Sequence, residues 1–123
     1  MFTEFDLNQF CGSCTWYRHW TGKLIYTEGM QYLAENAKAY WLIDAIASYQ
    51  GEEVLTRDPL LQEFQVWALT VNEDRTACLK CVADTEQPPV ITQDIEWTDF
   101  PLSEIKLYVC LGEQLCLMLP SEY

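Results

Sequence analysis

The sequence has few positive charges and a single histidine. Seven Lys and Arg residues stand against 19 Asp and Glu residues, and the formal net charge is −12. A phosphate backbone or an anionic membrane surface would repel such a chain, so we expect no direct contact with nucleic acid or with a membrane. The acidic residues are spread along the sequence, which is typical of a folded surface and not of an acidic tail. They indicate either solubility alone or a surface that docks on a basic protein.

A long apolar run and a leader segment are also missing. The most apolar stretch, residues 39–49, is much shorter than the roughly 20 residues that a membrane-spanning helix needs. The first residues lack a basic segment followed by an apolar one, so we expect no signal peptide and a cytoplasmic protein. In that reducing compartment the six Cys residues would be thiols or metal ligands and not disulfides.

What the sequence does contain predicts one folded domain over residues 1–123. Half of the residues are apolar, and five Trp, seven Tyr and five Phe residues supply a core. Apolar residues recur at helical spacing from Thr27 onward, and residues 39–49 are apolar nearly all round, as in a buried helix. We predict either one bent helix over residues 28–49 or two helices that meet near residues 36–38.

The second half of the chain predicts strands. Residues that favour strands dominate several segments, and turn residues such as Gly112-Glu113 separate them. The segments are 64–71, 76–82, 91–97, 105–111 and 114–119. The predicted fold is therefore α+β, with an N-terminal helix or helix pair packed on one face of a four- to five-stranded antiparallel meander.

The segment before the helices is rich in aromatic residues. Trp16, Tyr17 and Trp20 are large, and we expect them to anchor residues 1–21 to the core. Residues 23–26 predict either a short strand or a turn.

Six short stretches of sequence occur together in order. They are Trp16-Tyr17-Arg18-His19, Tyr26-Thr27-Glu28-Gly29, residues 39–47, Phe64-Gln65-Val66-Trp67, Thr98-Asp99-Phe100-Pro101-Leu102 and Leu119-Pro120-Ser121-Glu122-Tyr123. With these stretches nearly the whole chain resembles a family of small bacterial proteins of unknown function, often encoded on plasmids, prophages and other mobile elements. The resemblance implies a single domain and a mobile-element setting, and it supplies no activity or catalytic residue. Cys11, Cys14 and Cys78 lie outside the family pattern, which implies that a metal is not essential to the fold.

Two Cys-x-x-Cys pairs form the clearest metal motif. Cys11 with Cys14 and Cys78 with Cys81 could offer four thiolates to a tetrahedral zinc ion. If residues 78–81 form an uninterrupted strand, however, residues three apart point to opposite faces and cannot share a metal. We favour buried or partly exposed thiols and expect no cofactor, with zinc as the alternative.

The remaining two cysteines depend on the length of the turn between them. A two-residue turn at Gly112-Glu113 would place Cys110 and Cys116 on opposite faces of a hairpin. A three-residue turn would place them directly across from each other, and we expect thiols in either case.

Two residues could carry catalysis. His19 could act as a general base near neutral pH, although a lone His more often forms hydrogen bonds within a loop. Asp44 lies in the most apolar helix, where we expect its carboxylate to pair with backbone N–H groups, a Tyr or Trp donor, or Arg18. The alternative for Asp44 is a carboxylate of raised pKa in a pocket. No Ser or Cys can be paired with His19 from the sequence.

These observations together predict a small acidic, non-enzymatic, protein-binding accessory factor of a mobile element. Its partner would be a host defence protein or a basic, nucleic-acid-binding protein, inhibited through an acidic surface that imitates DNA. The alternatives are a zinc-stabilised interaction module and a small enzyme that uses His19 or Asp44.

Overall fold

The computed structural model describes residues 16–50, 59–82, 88–111 and 114–120, with only the backbone of residues 59 and 60. Within these ranges seven strands form one sheet, accompanied by three helices. The elements in chain order are β1 (Trp16–Arg18), β2 (Ile25–Thr27), α1 (Glu28–Ala37), α2 (Tyr40–Ser48), α3 (Pro59–Glu63), β3 (Phe64–Val71), β4 (Ala77–Val82), β5 (Ile91–Ile95), β6 (Glu104–Leu111) and β7 (Leu115–Met118). The strand order across the sheet is β1-β2-β7-β6-β3-β4-β5.

The prediction of an N-terminal helix or helix pair packed on one face of a four- to five-stranded antiparallel meander is wrong. The β1–β2 hairpin comes before α1 and α2, and β2 pairs in parallel with β7, so the sheet is mixed. The chain also leaves the meander after β5, because β6 pairs with β3 and not with β5. β1 and β2 have three residues each, too few to display period-2 alternation, so the sequence predicts only a short strand or a turn at residues 23–26, where β2 begins at Ile25. The β2–β7 pairing joins distant parts of the chain and leaves no local pattern.

The helical region is a pair of helices with a break between them. The side chain of Thr27 accepts a hydrogen bond from the Met30 N–H at 3.3 Å and thereby caps the start of α1. At its end, Lys38 takes a left-handed conformation with φ of 53° and donates its N–H to the Ala34 carbonyl. The second predicted alternative, two helices meeting near residues 36–38, is therefore observed. No helix in the described ranges is both long and apolar enough to cross a membrane.

The helix α2 contributes its apolar side to the core. Leu42, Ile43 and Ile46 are buried in the same cluster as Trp67 and Leu107 from the centre of the sheet. Alternate residues of β3, β4 and β6 enter this cluster, as the period of a strand requires. The other face of α2 carries Asp44.

A polar network lies inside this core. The side-chain amides of Gln50 and Gln65 hydrogen bond to each other in both directions, at 3.0 and 2.9 Å. Gln65 Oε1 also accepts the indole N–H of Trp67 at 2.8 Å, and the two amides donate to the carbonyls of Ile46 and Leu61. Burial of these amides is tolerated because every donor has an acceptor.

Candidate functional site

The β1–β2 hairpin brings His19 to the edge of the helical layer. The Gly22 N–H donates to the His19 carbonyl at 2.9 Å, and the His19 N–H donates to the Leu24 carbonyl at 3.0 Å. Gly22 has a φ of +74°, a conformation that glycine adopts without steric cost. This tight loop fixes the direction of the His19 and Trp20 side chains.

The imidazole of His19 contacts the carboxylate of Asp44 on α2. His19 Nε2 lies 2.7 Å from Asp44 Oδ1, with His19 buried and Asp44 half exposed. His19 Nδ1 accepts the backbone N–H of Thr21 at 3.2 Å and lies 2.7 Å from Thr21 Oγ1. An Nδ1 that accepts a backbone N–H fits the neutral tautomer with its proton on Nε2, donated to Asp44. The pair ties the hairpin loop to α2.

Trp20 is almost fully exposed and is nevertheless oriented. Its indole N–H donates to Asp44 Oδ1 at 3.3 Å, although the side chain is 83% exposed. Trp16 and Tyr17 are exposed as well, at 54% and 37%. The prediction that these three residues anchor the segment to the core is wrong. Trp20 lies two residues beyond the end of β1 at Arg18, in the turn itself, where a side chain has no sheet beneath it.

Further aromatic rings surround this contact. The Tyr17 ring stacks on the Tyr26 ring with centroids 5.6 Å apart and an angle of 18° between their planes. Tyr40 is 40% exposed and precedes Asp44 by four residues, so both lie on one face of α2. We call Tyr17, Trp20, Tyr26, Tyr40 and Asp44 the aromatic surface.

Hydroxyl groups and carboxylates are coupled electrostatically across this surface. Burial, followed by the neighbouring Tyr17 and Asp44, raises the pKa of the Tyr26 hydroxyl. The pKa of Tyr40 is raised chiefly by its hydrogen bond to Glu35, which accepts the hydroxyl proton at 2.8 Å. Both tyrosines therefore stay neutral hydrogen-bonding groups near pH 7.

The two catalytic candidates predicted from the sequence, His19 and Asp44, are thus brought together. Asp44 uses a Trp donor, one of the pairings expected for it, together with His19, which was not foreseen. Thr21 completes a hydrogen-bonded series of hydroxyl, imidazole and carboxylate, and its part in this series was not predicted from the sequence. Its signal was a hydroxyl residue two positions after the histidine in a Gly-containing turn. Because Thr21 Oγ1 also accepts the Lys23 N–H at 3.3 Å, these hydrogen bonds also stabilise the loop between β1 and β2.

The predicted zinc ligands are not gathered in the described part of the chain. β4 is uninterrupted from Ala77 to Val82, so Cys78 and Cys81 point to opposite faces and do not meet the condition for sharing a metal. Cys81 is fully buried in the core. Cys11 and Cys14 lie outside the described residues, and their metal binding stays a prediction. Among the residues that are described, no group of three or more His, Cys, Asp or Glu could hold a metal ion.

The cysteines of the β6–β7 hairpin do lie together. Cys110 pairs directly with Cys116, as Leu111 does with Leu115, so three residues form the turn. Both are thiols. The second of the two alternatives for this turn is therefore observed.

Comparison with known proteins gives a family and no activity. No curated protein and no solved structure matches the chain. One family model, described as a family of unknown function (DUF6876), matches residues 1–123. A match over the whole length means that the chain belongs to that family.

Proposed function

We propose that this protein is a non-enzymatic binding factor whose aromatic surface docks on a cationic segment of a basic protein. The observation that carries the proposal is Trp20, which is 83% exposed and yet held in place by its hydrogen bond to Asp44. A single exposed aromatic residue needs no explanation. Here the indole is oriented by a carboxylate and accompanied by exposed Tyr17 and Tyr40 on adjoining elements.

Such a surface suits binding because its groups are pre-organised. Trp and Tyr are the residues that most often dominate the binding energy of protein interfaces. An indole already fixed by a hydrogen bond loses less conformational freedom on binding than a free one. The His19–Asp44 contact supports this arrangement from beneath, because it fixes the carboxylate to which Trp20 donates.

Charge indicates the kind of partner. Asp44 is half exposed at the surface, and the whole chain carries a net charge of −12. A Lys or Arg side chain over the face of Trp20 would gain a cation–π contact and an attraction to Asp44. Arg18 and Lys23 are on the same hairpin, but they are outnumbered in the chain as a whole. A basic, nucleic-acid-binding host protein fits these requirements, and its inhibition on behalf of a mobile element is the role that we propose.

The test is affinity capture from bacterial lysate with the tagged full-length chain and two matched variants. Trp20→Ala removes the proposed contact, and Trp97→Ala removes another exposed indole, 65% accessible, from the segment that follows β5. We expect a basic protein that is retained by the wild type and by Trp97→Ala, lost with Trp20→Ala, and released by high salt because exposed charges are screened. Equal retention by both variants would contradict the proposal.

A small esterase or related acyl-transfer enzyme is the second candidate, supported by one observation. Thr21 Oγ1 lies 2.7 Å from His19 Nδ1, and His19 Nε2 lies 2.7 Å from Asp44 Oδ1, so the imidazole can accept the Thr21 proton while Asp44 holds the ring. A hydroxyl-reactive phosphonate probe should then label the wild type and Thr21→Ser but not Thr21→Val. Absence of labelling in the wild type would remove this candidate.

A further inference from the structure

A cavity of about 440 Å³ lies on the face of the sheet that the helices do not cover. Its lining residues come from β1, β2, β6, β7 and the β6–β7 turn: Trp16, Ile25, Cys110, Leu111, Gln114, Cys116 and Met118. Val109 and Leu117 belong to the buried core, so their neighbours in sequence point to the opposite face. The cavity and the aromatic surface are therefore separate features, and neither His19 nor Asp44 lines the cavity.

Three sulphur atoms line this one cavity. Cys110 is directly across from Cys116 in the β6–β7 ladder, a position at which Cβ atoms are roughly 4.5–5.5 Å apart. Met118 follows Cys116 by two residues on β7 and so projects from the same face. Its side chain has three rotatable bonds, which allow the thioether to reach toward the two thiols.

We propose that Cys110, Cys116 and Met118 form a binding site for a monovalent soft metal ion, with Cu(I) as the ion that the donors fit best. Thiolate and thioether ligands select Cu(I) among the first-row metals. The site lies in an apolar cavity, and of its described lining residues only Gln114 has an amide side chain. Two thiolates and one thioether would give a three-coordinate ion carrying one net negative charge in all.

Binding requires proton loss and no electron transfer. Each thiol releases one proton to solvent as its sulphur bonds to the metal, and copper enters and stays as Cu(I).

The donor set is unsuitable for zinc. Zinc sites use Cys, His, Asp or Glu and are almost always four-coordinate when structural. Among the residues that the structure describes, those lining the cavity include no His, Asp or Glu, and a thioether does not replace them. This site is also distinct from the Cys-x-x-Cys pairs, because Cys78 and Cys81 do not line the cavity.

The test uses Cu(I) alone, added without oxygen to the reduced full-length chain in competition with a chromophoric Cu(I) chelator. Substitution of residues that contact the ligands of a metal, and not the metal itself, typically lowers metal affinity by roughly 10–100-fold. We therefore expect Cys110→Ser and Cys116→Ser each to lower the affinity by at least about 100-fold, and Met118→Leu to lower it less. Cys78→Ser, a partly buried thiol on β4, is the matched control and should bind as the wild type does.

Two further measurements keep the result independent of folding. X-ray absorption at the copper edge should show three sulphur neighbours in the wild type and two in Met118→Leu. A variant with Cys11→Ser and Cys14→Ser should retain the site. Unchanged affinity in both hairpin cysteine variants, or binding that disappears only with Cys11 and Cys14, would overturn the assignment.

Discussion

His19 Nε2 and Asp44 Oδ1 lie 2.7 Å apart, although 25 positions separate the two residues in the sequence. This contact joins the β1–β2 hairpin to α2 and fixes the oxygen to which Trp20 also donates. The buried imidazole therefore holds the carboxylate, and the carboxylate orients the exposed indole.

The first prediction concerns this carboxylate. Asp44→Ala leaves the buried donor of His19 without its acceptor, a change that costs about 1–3 kcal/mol in the free energy of unfolding. Asp44→Asn retains a side-chain oxygen that both His19 and Trp20 can use, and should cost less. Urea unfolding of the three proteins measures the difference. Equal midpoints for the two variants would mean that the oxygen of Asp44 contributes nothing to stability.

The second prediction concerns the amide pair in the core. Gln65→Leu removes the acceptor of the Trp67 indole and both bonds to Gln50, so we expect a loss of about 2–4 kcal/mol from several unsatisfied groups. Gln50→Leu should cost less, because Gln65 keeps its bonds to Trp67 and to the Leu61 carbonyl. Chemical denaturation tests the order of the two variants, and the reverse order would contradict this account of the network.

The third prediction is a dependence of stability on pH. Burial raises the pKa of the Cys81 thiol from 9.0 to about 12. In the unfolded chain the thiol ionises at lower pH than in the folded protein. The contribution of the protonated Cys81 thiol to the free energy of unfolding is therefore complete below about pH 9 and is lost as the pH rises toward about 12. Cys81→Ala removes this group.

The wild type should therefore lose stability more steeply than Cys81→Ala over that range, whatever the starting stability of the variant. The comparison with the variant is needed because tyrosines also ionise there, and the pKa values of Tyr26 and Tyr40 are raised. Parallel pH profiles of unfolding would show that Cys81 does not titrate in this way.

The sequence predicted those parts of the fold that have a local periodic signal. The burial of Leu42, Ile43 and Ile46 followed from a helix apolar nearly all round, and long strands such as β3 and β6 showed strand-forming composition. The parallel pairing of β2 with β7 has no such signal, since three-residue strands show no periodicity and the partners are far apart in sequence.

Contacts between residues distant in sequence were also not predictable at the candidate site. His19 and Asp44 were identified as residues able to carry chemistry because of their type, but nothing in their spacing indicated that they touch. Trp20 was assigned to the core on size alone, whereas its place in a hairpin turn decides its exposure. A turn residue is exposed because no sheet lies beneath it, and that depends on where β1 ends.

Binding of a cationic segment to the aromatic surface is measured most directly by NMR, from the indole N–H resonance of Trp20 while an arginine-rich peptide is added at low salt. Its assignment comes from its disappearance in Trp20→Phe, and the indole of Trp97 serves as the internal control. We expect that the Trp20 resonance shifts with increasing peptide, that the Trp97 resonance does not, and that high salt reverses the shift. A Trp20 resonance that stays in place, or a Trp97 resonance that moves equally, would contradict the claim that the aromatic surface binds cationic segments.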